Sequence, residues 1–152
     1  RIGVQNHLYS MVETPEHVRA FLARTDSRYV YGWWDTAHLH LADGSVRAIL
    51  RSTLPNLVGL DFKDATRHPK SHDYKAPNGE VVAGDTPQGR YYNSMFELGK
   101  GTIDFPEIME MMVKLNWRGW LIHDLDTIRT SCAESFRQSM AYIRRELDPI
   151  YM

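Results

Sequence analysis

The stretch Tyr29–Leu41, with the sequence YVYGWWDTAHLHL, decides the fold. It begins as an uncharged aromatic run, which is typical of a strand buried on both faces, and the run stops at Asp35. In parallel α/β proteins, ligands and catalytic groups lie where strands end at their carboxyl edge. A carboxylate that closes such a strand, with His38 and His40 on the next loop, predicts a metal or sugar site. The alternative is that Asp35 caps the following turn and both histidines are ordinary loop residues.

Three other segments follow the same pattern of a strand that ends in polar residues. The first predicted strand, Arg1–Gln5, ends at Gln5 with His7 close behind. The third, Leu57–Phe62, contains Asp61 near its end. The fourth, Trp120–Ile122, is followed by His123, Asp124 and Asp126. A predicted helix follows each strand, and these helices begin near Thr14-Pro15, Ser45, Asp104 and Ser131. Four strand–helix units predict a parallel sheet with right-handed crossovers, in which all four polar endings share one edge.

Four such units are half of an eight-fold barrel. We therefore expect residues 1–152 to form a single half-barrel domain of the α/β class, with four β/α units. A half barrel leaves two strand edges unpaired, so we expect a missing segment, another chain or a second copy to complete it, and an oligomer. The chain begins with Arg1 rather than Met, and we expect a preceding segment. The last helix, from about Ser131 to Leu147, should turn Phe136 and Met140 inward.

Residues 65–101 interrupt this pattern with a long irregular stretch that contains three prolines and many charges. A loop of this length in a compact domain is usually an active-site lid, a binding loop or an interface arm, and we expect it on the site face. The alternative is a solvated insertion without a role. Tyr91 and Tyr92 could form a stacking wall in it, and the segment near Glu80–Ala83 could pair as a short strand.

Composition excludes several classes of protein. The formal net charge is −1, so nothing attracts nucleic acid or an anionic membrane over long range. No uninterrupted apolar run approaches the ~18 residues of a membrane helix. The single cysteine excludes an internal disulfide framework, fits a reducing compartment and leads us to expect a cytoplasmic protein.

Several motifs resemble the carboxyl-terminal half of the xylose isomerase-like TIM-barrel superfamily, which includes D-tagatose 3-epimerase, inosose dehydratase and C-glycoside deglycosidases. Trp34-Asp35-Thr36-Ala37-His38 resembles Leu-Asp-Thr-x-His, and Leu60-Asp61-Phe62-Lys63-Asp64 resembles His-x-His-x-Lys-Asp. Gly99–Phe105 resembles the Gly-x-Gly-x-x-Asp-Phe segment before the seventh helix, and the segments at Gln5–His7 and Gly119–Asp124 resemble two further strands. The resemblance covers nearly the whole chain and implies the carboxyl-terminal half of a TIM (β/α)8 barrel.

The resemblance implies a divalent cation held by one side chain from each strand, at Gln5, Asp35, Asp61 and Asp124. Only Asp35 agrees with the family, because Gln5 and Asp124 replace glutamates and Asp61 replaces a histidine. An all-oxygen set favours Mn²⁺ or Mg²⁺, with Ca²⁺ also suited, over Zn²⁺ or Co²⁺. The resemblance also implies that His38, Arg67 and Trp34 bind the substrate.

The implied chemistry is proton removal next to a carbonyl in a sugar or keto-sugar, through an enediolate, as in isomerases and epimerases. Gln5 cannot take a proton, so His7, His123 and Asp124 are the candidates for moving protons. Two alternatives stay open. One is a lyase of the same fold that works by β-elimination, and the other is a non-catalytic sugar-binding paralogue.

Overall fold

The computed structural model describes residues 2–152, so Arg1, in the first predicted strand, lies outside the described residues. The strands are β1 (Ile2–Gln5), β2 (Val30–Asp35), β3 (Leu57–Phe62), β4 (Asp64–Ala65), β5 (Tyr74–Lys75), β6 (Val81–Val82), β7 (Met95–Phe96) and β8 (Trp120–His123). The α-helices are α1 (Pro15–Ala23), α2 (Thr36–Leu41), α3 (Val46–Thr53), α4 (Pro87–Ser94), α5 (Phe105–Lys114), α6 (Cys132–Tyr142) and α7 (Asp148–Tyr151). A 3-10 turn, Leu54–Asn56, precedes β3, and a π turn, Ile143–Leu147, joins α6 to α7.

The main sheet has four parallel strands in the order β1-β2-β3-β8, as the sequence predicted. Its register brings the strand ends level, because Gln5 pairs with Trp33, Asp35 with Asp61, and Phe62 with His123. The (β/α) repeats therefore form a partial TIM barrel, which confirms the predicted fold class. Within residues 2–152, no helix is both long and apolar enough to cross a membrane.

The predicted helix starts are confirmed by their caps. Thr14, Ser45, Asp104 and Ser131 each accept a hydrogen bond from the backbone N–H three residues later. Three α-helices were not predicted, of which the last, α7, is a short one beyond Leu147. The loop predicted after Asp35 is helix α2, and the stretch predicted to be irregular contains helix α4.

The core lies between the sheet and the helices packed on it. Phe62 of β3 packs its ring against Phe105 of α5, with the ring centroids 5.0 Å apart. The largest core side chain, Trp34, is fully buried and donates its indole N–H to Thr53 of α3 at 2.9 Å. Other fully or nearly fully buried apolar side chains are Val18, Leu39, Ile49, Leu50, Leu60, Met95 and Leu147.

The β8 side of the structure exposes an apolar surface. Trp120, Leu121 and Ile122 of this edge strand are 71%, 40% and 46% exposed. Phe136 and Met140 of α6 are 45% and 40% exposed, so the face of this helix that was predicted to turn inward is only partly covered. β8 pairs with β3 on one side, and within the described residues no strand pairs with its other side.

The long insertion carries its own ordered structure. β5 and β6 form a short antiparallel hairpin, which agrees with the strand pairing expected near Glu80–Ala83, and β4 pairs with β7. Thr86 caps α4, and Pro87 occupies the first turn of that helix. Arg129 donates to the Met95 carbonyl at 2.7 Å, and its guanidinium lies 4.4 Å from the centre of the Phe96 ring. These contacts attach the insertion to the barrel wall.

Candidate functional site

Three carboxylates converge at the carboxyl edge of the sheet. Asp35 and Asp61 are register partners on neighbouring strands, and Asp124 follows the end of β8. Carboxylate oxygens of these three residues lie within 4.8 Å of one another. Gln5 joins them from β1, because its amide Nε2 donates to Asp61 Oδ2 at 2.5 Å. The structure therefore brings together all four residues that the resemblance implied as metal ligands.

An ammonium group lies among these carboxylates. Lys63 Nζ is 2.9 Å from Asp35 Oδ2, 2.6 Å from Asp124 Oδ2 and 2.8 Å from Asp126 Oδ2. The Lys63 side chain is only 2% exposed. Burial lowers its pKa, but Asp35 and the hydrogen bonds to Asp124 and Asp126 outweigh burial, so the pKa of Lys63 is raised. Lys63 is therefore charged at neutral pH, as a buried counter-ion of the cluster.

The cluster keeps an excess of negative charge. Four aspartates, at positions 35, 61, 124 and 126, face one ammonium, which leaves three formal negative charges. Burial raises the pKa of Asp35 to about 6, although the Lys63 charge opposes that rise. Burial also raises the pKa of Asp61, and the neighbouring Asp124 carboxylate adds to this effect. An additional cation would relieve both carboxyl groups.

Asp35 is fixed from several directions. Its Oδ1 accepts the His38 N–H at 3.0 Å and so caps α2, while its Oδ2 faces Lys63. The buried Asn6 accepts the Asp35 N–H at 2.8 Å. The Thr36 hydroxyl donates to the Lys63 carbonyl at 2.8 Å and accepts the Lys63 N–H at 3.0 Å. The capping alternative raised for Asp35 is therefore correct, and it coexists with the position of Asp35 in the carboxylate cluster.

Trp33, rather than the predicted Trp34, faces the cluster. The Trp33 indole N–H donates to Asp61 Oδ1 at 2.7 Å, whereas Trp34 points to the helix layer and Thr53. Side chains alternate along a strand, so the residue two before Asp35 shares its face and the adjacent residue does not. This alternation was visible in the sequence and could have identified Trp33.

The same alternation places His123 on the side of the sheet opposite the carboxylate cluster. His123 pairs in register with Phe62, a core residue, and its ring contacts Phe136 of α6 at 4.6 Å between centroids. Burial lowers the pKa of His123, and neither ring nitrogen has a hydrogen-bond partner within the described residues. The structure thus turns His123 to the helix side, away from Asp61, although Asp124, next in the chain, reaches the cluster.

His38 and His7 lie together beside Asp35. Their ring centroids are 3.8 Å apart, with His38 fully buried and His7 exposed at the end of β1. Burial and the nearby Lys63 charge lower the pKa of His38 to about 3, so its imidazole is neutral at physiological pH. His38 Nδ1 accepts the Leu8 N–H at 3.5 Å, which leaves the ring proton on Nε2, 3.7 Å from Asp35 Oδ2.

Arg67 lies away from the carboxylates. Its guanidinium donates to the carbonyls of His40 at 2.7 Å and Gly44 at 2.9 Å, beyond the end of α2. The side chain therefore joins β4 and its following turn to the α2–α3 connection. Both donors are directed at backbone oxygens, so the structure does not bring Arg67 to the cluster.

The insertion contributes Tyr91 to the site. The Tyr91 hydroxyl of α4 donates a short hydrogen bond to Asp126, which also contacts Lys63. Its ring is parallel to that of His38, with the centroids 5.9 Å apart. Burial and the bond to Asp126 raise the pKa of Tyr91, so the phenol stays protonated. The stacking wall considered for Tyr91 thus lies beside His38, and part of the insertion reaches the site.

The donor set fits a hard divalent cation. Carboxylate oxygens are ligands that Mg²⁺ and Mn²⁺ prefer, and the three aspartates carry negative charge that would balance one such cation. Asp35 Oδ2 is buried and faces the Lys63 ammonium at 2.9 Å, so this oxygen is already directed at a cation. With aspartate at position 61, the set lacks the imidazole that Zn²⁺ favours.

The family model for the xylose isomerase-like TIM barrel matches residues 1–146. The chain belongs to this family. Inosose dehydratase from Lactiplantibacillus plantarum is 27% identical over 150 residues, a match that covers 97% of the chain and 48% of that protein. The chain therefore spans about half the length of the curated relatives it matches.

Several solved structures have the same fold as this chain. A D-tagatose 3-epimerase-like protein superposes with a TM-score of 0.66 at 15% identity, over 99% of the chain and 48% of that protein. A xylose isomerase-like TIM barrel protein from Mycobacterium smegmatis, solved in complex with magnesium, gives a TM-score of 0.68 at 14% identity, over 100% and 45%. At these identities the likeness is one of fold.

Proposed function

We propose that this chain carries the metal and proton-transfer site of a sugar or keto-sugar enzyme that removes a proton next to a carbonyl group. The convergence of Asp35, Asp61 and Asp124 within 4.8 Å at the carboxyl edge carries the proposal. In barrels of this architecture, catalytic side chains come from the ends of several strands at that edge. The relationship to an inosose dehydratase supports a keto-sugar or keto-cyclitol as the substrate class.

Gln5, Asp35, Asp61 and Asp124 would hold a divalent cation, with Mn²⁺ or Mg²⁺ preferred. When bound, the cation would supply positive charge that stabilises the oxyanion formed as the proton leaves carbon. Lys63 adds a second positive charge to the same region. The magnesium complex of a structural neighbour supports a divalent ion without identifying it.

The histidines at the mouth supply the other functions. We assign proton transfer to His7, which is exposed at the end of β1, together with Asp124. His38 Nε2, which has no hydrogen-bond partner within the described residues, would donate to a substrate oxygen. Arg67, Trp34 and His123 are left out of the proposed site because their side chains point elsewhere.

Two outcomes of the deprotonation are in competition, and we place β-elimination before epimerisation. Gln5 cannot act as a base, so an epimerase would have to replace the base that the resemblance implies at this position with His7. Elimination needs one base to take the proton from carbon and one acid to protonate the departing β-hydroxyl group, which leaves as water while a carbon–carbon double bond forms. The inosose dehydratase relative supports this order, and the epimerase-like structural neighbour keeps isomerisation as the second candidate.

The remaining strands of the barrel would come from outside the described residues. The open side of β8 and its exposed residues Trp120, Leu121 and Ile122 support a further strand there. A preceding segment, another chain or a second copy could supply it. We propose that residues 65–101 form the wall of the site opposite His38, because Tyr91 lies there.

The test uses the full-length protein. Its bound metal is measured by mass spectrometry, and it is then incubated with inosose and with a ketohexose in deuterated buffer. Deuterium at the carbon next to the carbonyl, seen by proton NMR, demonstrates deprotonation, while an unsaturated ketone or a new epimer identifies the reaction. A metal-free protein that exchanges no proton would refute the proposal, and a ligand-induced melting shift without exchange would indicate the non-catalytic alternative.

Asp61→Asn is the matched site variant, since it keeps the shape of the side chain and removes its charge. We expect it to weaken Mn²⁺ binding and lower exchange at least about 100-fold, on the order of one oxyanion-stabilising interaction. Asp43→Asn makes the same change at a side chain that is 91% exposed and outside the cluster. Equal activities of the two variants would remove Asp61 from the site.

A further inference from the structure

Lys63 contacts two of the three carboxylates that the proposed cation would need. Its Nζ is 2.9 Å from Asp35 Oδ2 and 2.6 Å from Asp124 Oδ2, and both aspartates belong to the cluster of three carboxylates. An ammonium and a divalent cation that share two carboxylates repel each other at short range, where burial weakens screening. The two cations therefore cannot both have full use of Asp35 and Asp124.

Asp126 gives the ammonium another partner. It lies 2.8 Å from Lys63 Nζ but is not one of the three carboxylates whose oxygens lie within 4.8 Å. The Tyr91 hydroxyl donates to the same Asp126 oxygen and holds that carboxylate in place. The ammonium of Lys63 can thus release Asp35 and Asp124 and still keep a charged partner in Asp126.

The backbone of Lys63 has no comparable freedom. Thr36 bonds both its N–H, at 3.0 Å, and its carbonyl, at 2.8 Å, so the residue is pinned at the end of β3. The side chain is 2% exposed, so the ammonium has no direct path to bulk water. Any response of Lys63 to a second cation must therefore take place inside the carboxylate cluster.

We propose that Lys63 is a built-in competitor of the divalent cation, and that metal binding makes its ammonium give up Asp35 and Asp124 and rely on Asp126 alone. The inference rests on the proposed metal site and adds what sets the affinity of that site. In the metal-free protein, Lys63 neutralises part of the negative charge of the carboxylate cluster. The metal-bound form requires the Asp126 carboxylate, held by Tyr91, as the receiving partner for the ammonium.

The test is Mn²⁺ titration of the full-length protein, with free Mn²⁺ followed by electron paramagnetic resonance. Lys63→Met should bind Mn²⁺ at least tenfold more tightly than the wild type. If Lys63→Met does not fold, Lys63→Gln replaces it in the comparison, because the glutamine amide is uncharged and still donates hydrogen bonds to the carboxylates. Lys114→Met, which removes an exposed charge at the carboxyl end of α5, is the control and should bind like the wild type.

A double-mutant cycle separates displacement from simple charge. Asp126→Asn should weaken Mn²⁺ binding at least fivefold with Lys63 present, because the ammonium then has no receiving carboxylate. In the Lys63→Met background, Asp126→Asn should raise the logarithm of the Mn²⁺ dissociation constant by less than half as much as in the wild type. An equal effect in both backgrounds would mean that Asp126 acts through its charge alone, and would overturn the proposed movement.

The outcomes also separate this inference from the proposed function. Unchanged or weaker binding by both Lys63 variants, with a wild type that binds Mn²⁺, overturns the competition and leaves the metal site intact. Binding by the variants alone supports the competition in its strongest form. Absence of binding by every protein overturns the inference together with the metal-dependent part of the proposed function.

Discussion

Among the polar side chains, Asp64 is the one whose removal should lower the free energy of unfolding most. Its fully buried carboxylate accepts the N–H groups of Gly99 and Gly101 at 2.9 Å and of Ile103 at 3.2 Å, besides that of its neighbour Ala65. These bonds fold the segment before α5 around one side chain. A Cβ at Gly101 would lie 2.2 Å from Asp64 Oδ1, so only glycine permits this approach.

Asp64→Ala leaves three distant backbone donors without an acceptor. Each buried, unpaired donor costs about 1–3 kcal/mol, so we expect the three donors to lower the free energy of unfolding by at least about 3 kcal/mol. A typical domain has about 5–15 kcal/mol in total. The assay is urea unfolding of the full-length protein, followed by tryptophan fluorescence, with comparison of midpoint and slope.

Asp104→Asn is the control, because Asp104 caps α5 and asparagine caps a helix equally well. It should change the free energy of unfolding by less than about 0.5 kcal/mol. A loss below about 1 kcal/mol for Asp64→Ala would refute the reasoning, since it would mean that the three donors find other partners at little cost.

The same carboxyl group predicts a pH dependence. Burial raises the pKa of Asp64 to about 6, although its four N–H donors oppose that rise. Because the folded pKa exceeds the reference value of 3.8, the contribution of Asp64 to stability is complete below pH 3.8 and is lost as the pH rises through about 6. Relative to Asp64→Asn, the wild type should therefore gain up to about 3 kcal/mol between pH 7 and pH 3. A constant difference would contradict this assignment.

Three further predictions concern the site. Tyr91→Phe removes the hydrogen bond to the Asp126 carboxylate but keeps the ring, so it should cost about 1.5–3 kcal/mol in urea unfolding, and an unchanged free energy of unfolding would mean that Asp126 does not depend on this bond. The pKa of His38 is lowered to about 3, so the wild type loses stability as the pH falls below 6.5, whereas His38→Gln should not. At pH 5 the difference in the free energy of unfolding should favour the variant by about 2 kcal/mol relative to pH 7. The same pH dependence in both proteins would contradict the burial of a neutral imidazole. Gly59→Ala places a Cβ 2.5 Å from the Trp33 ring and should cost about 1–3 kcal/mol with a shift in tryptophan fluorescence, whereas an unchanged spectrum would mean that Trp33 has room to move.

Local patterns in the sequence were sufficient for the order and direction of the main strands. Caps such as Thr14 and the runs around Trp34 depend on contacts within a few residues, and the structure confirms the parallel sheet that they predicted. The same local signal was overlooked at Thr86-Pro87, which begins α4 just as Thr14-Pro15 begins α1. Helix α4 was therefore predictable from its cap, but the prolines and glycines around it favoured the prediction of an irregular segment.

The convergence of Gln5, Asp35, Asp61 and Asp124 also followed from the sequence, because parallel strands bring their carboxyl ends to one edge. What only the tertiary structure decided is which neighbours complete the cluster. Lys63 lies among the carboxylates, Tyr91 arrives from the insertion, and His123 is turned to the helices. Strand register and the balance of buried charges fix these choices, and both depend on residues far apart in the chain, so no local pattern records them.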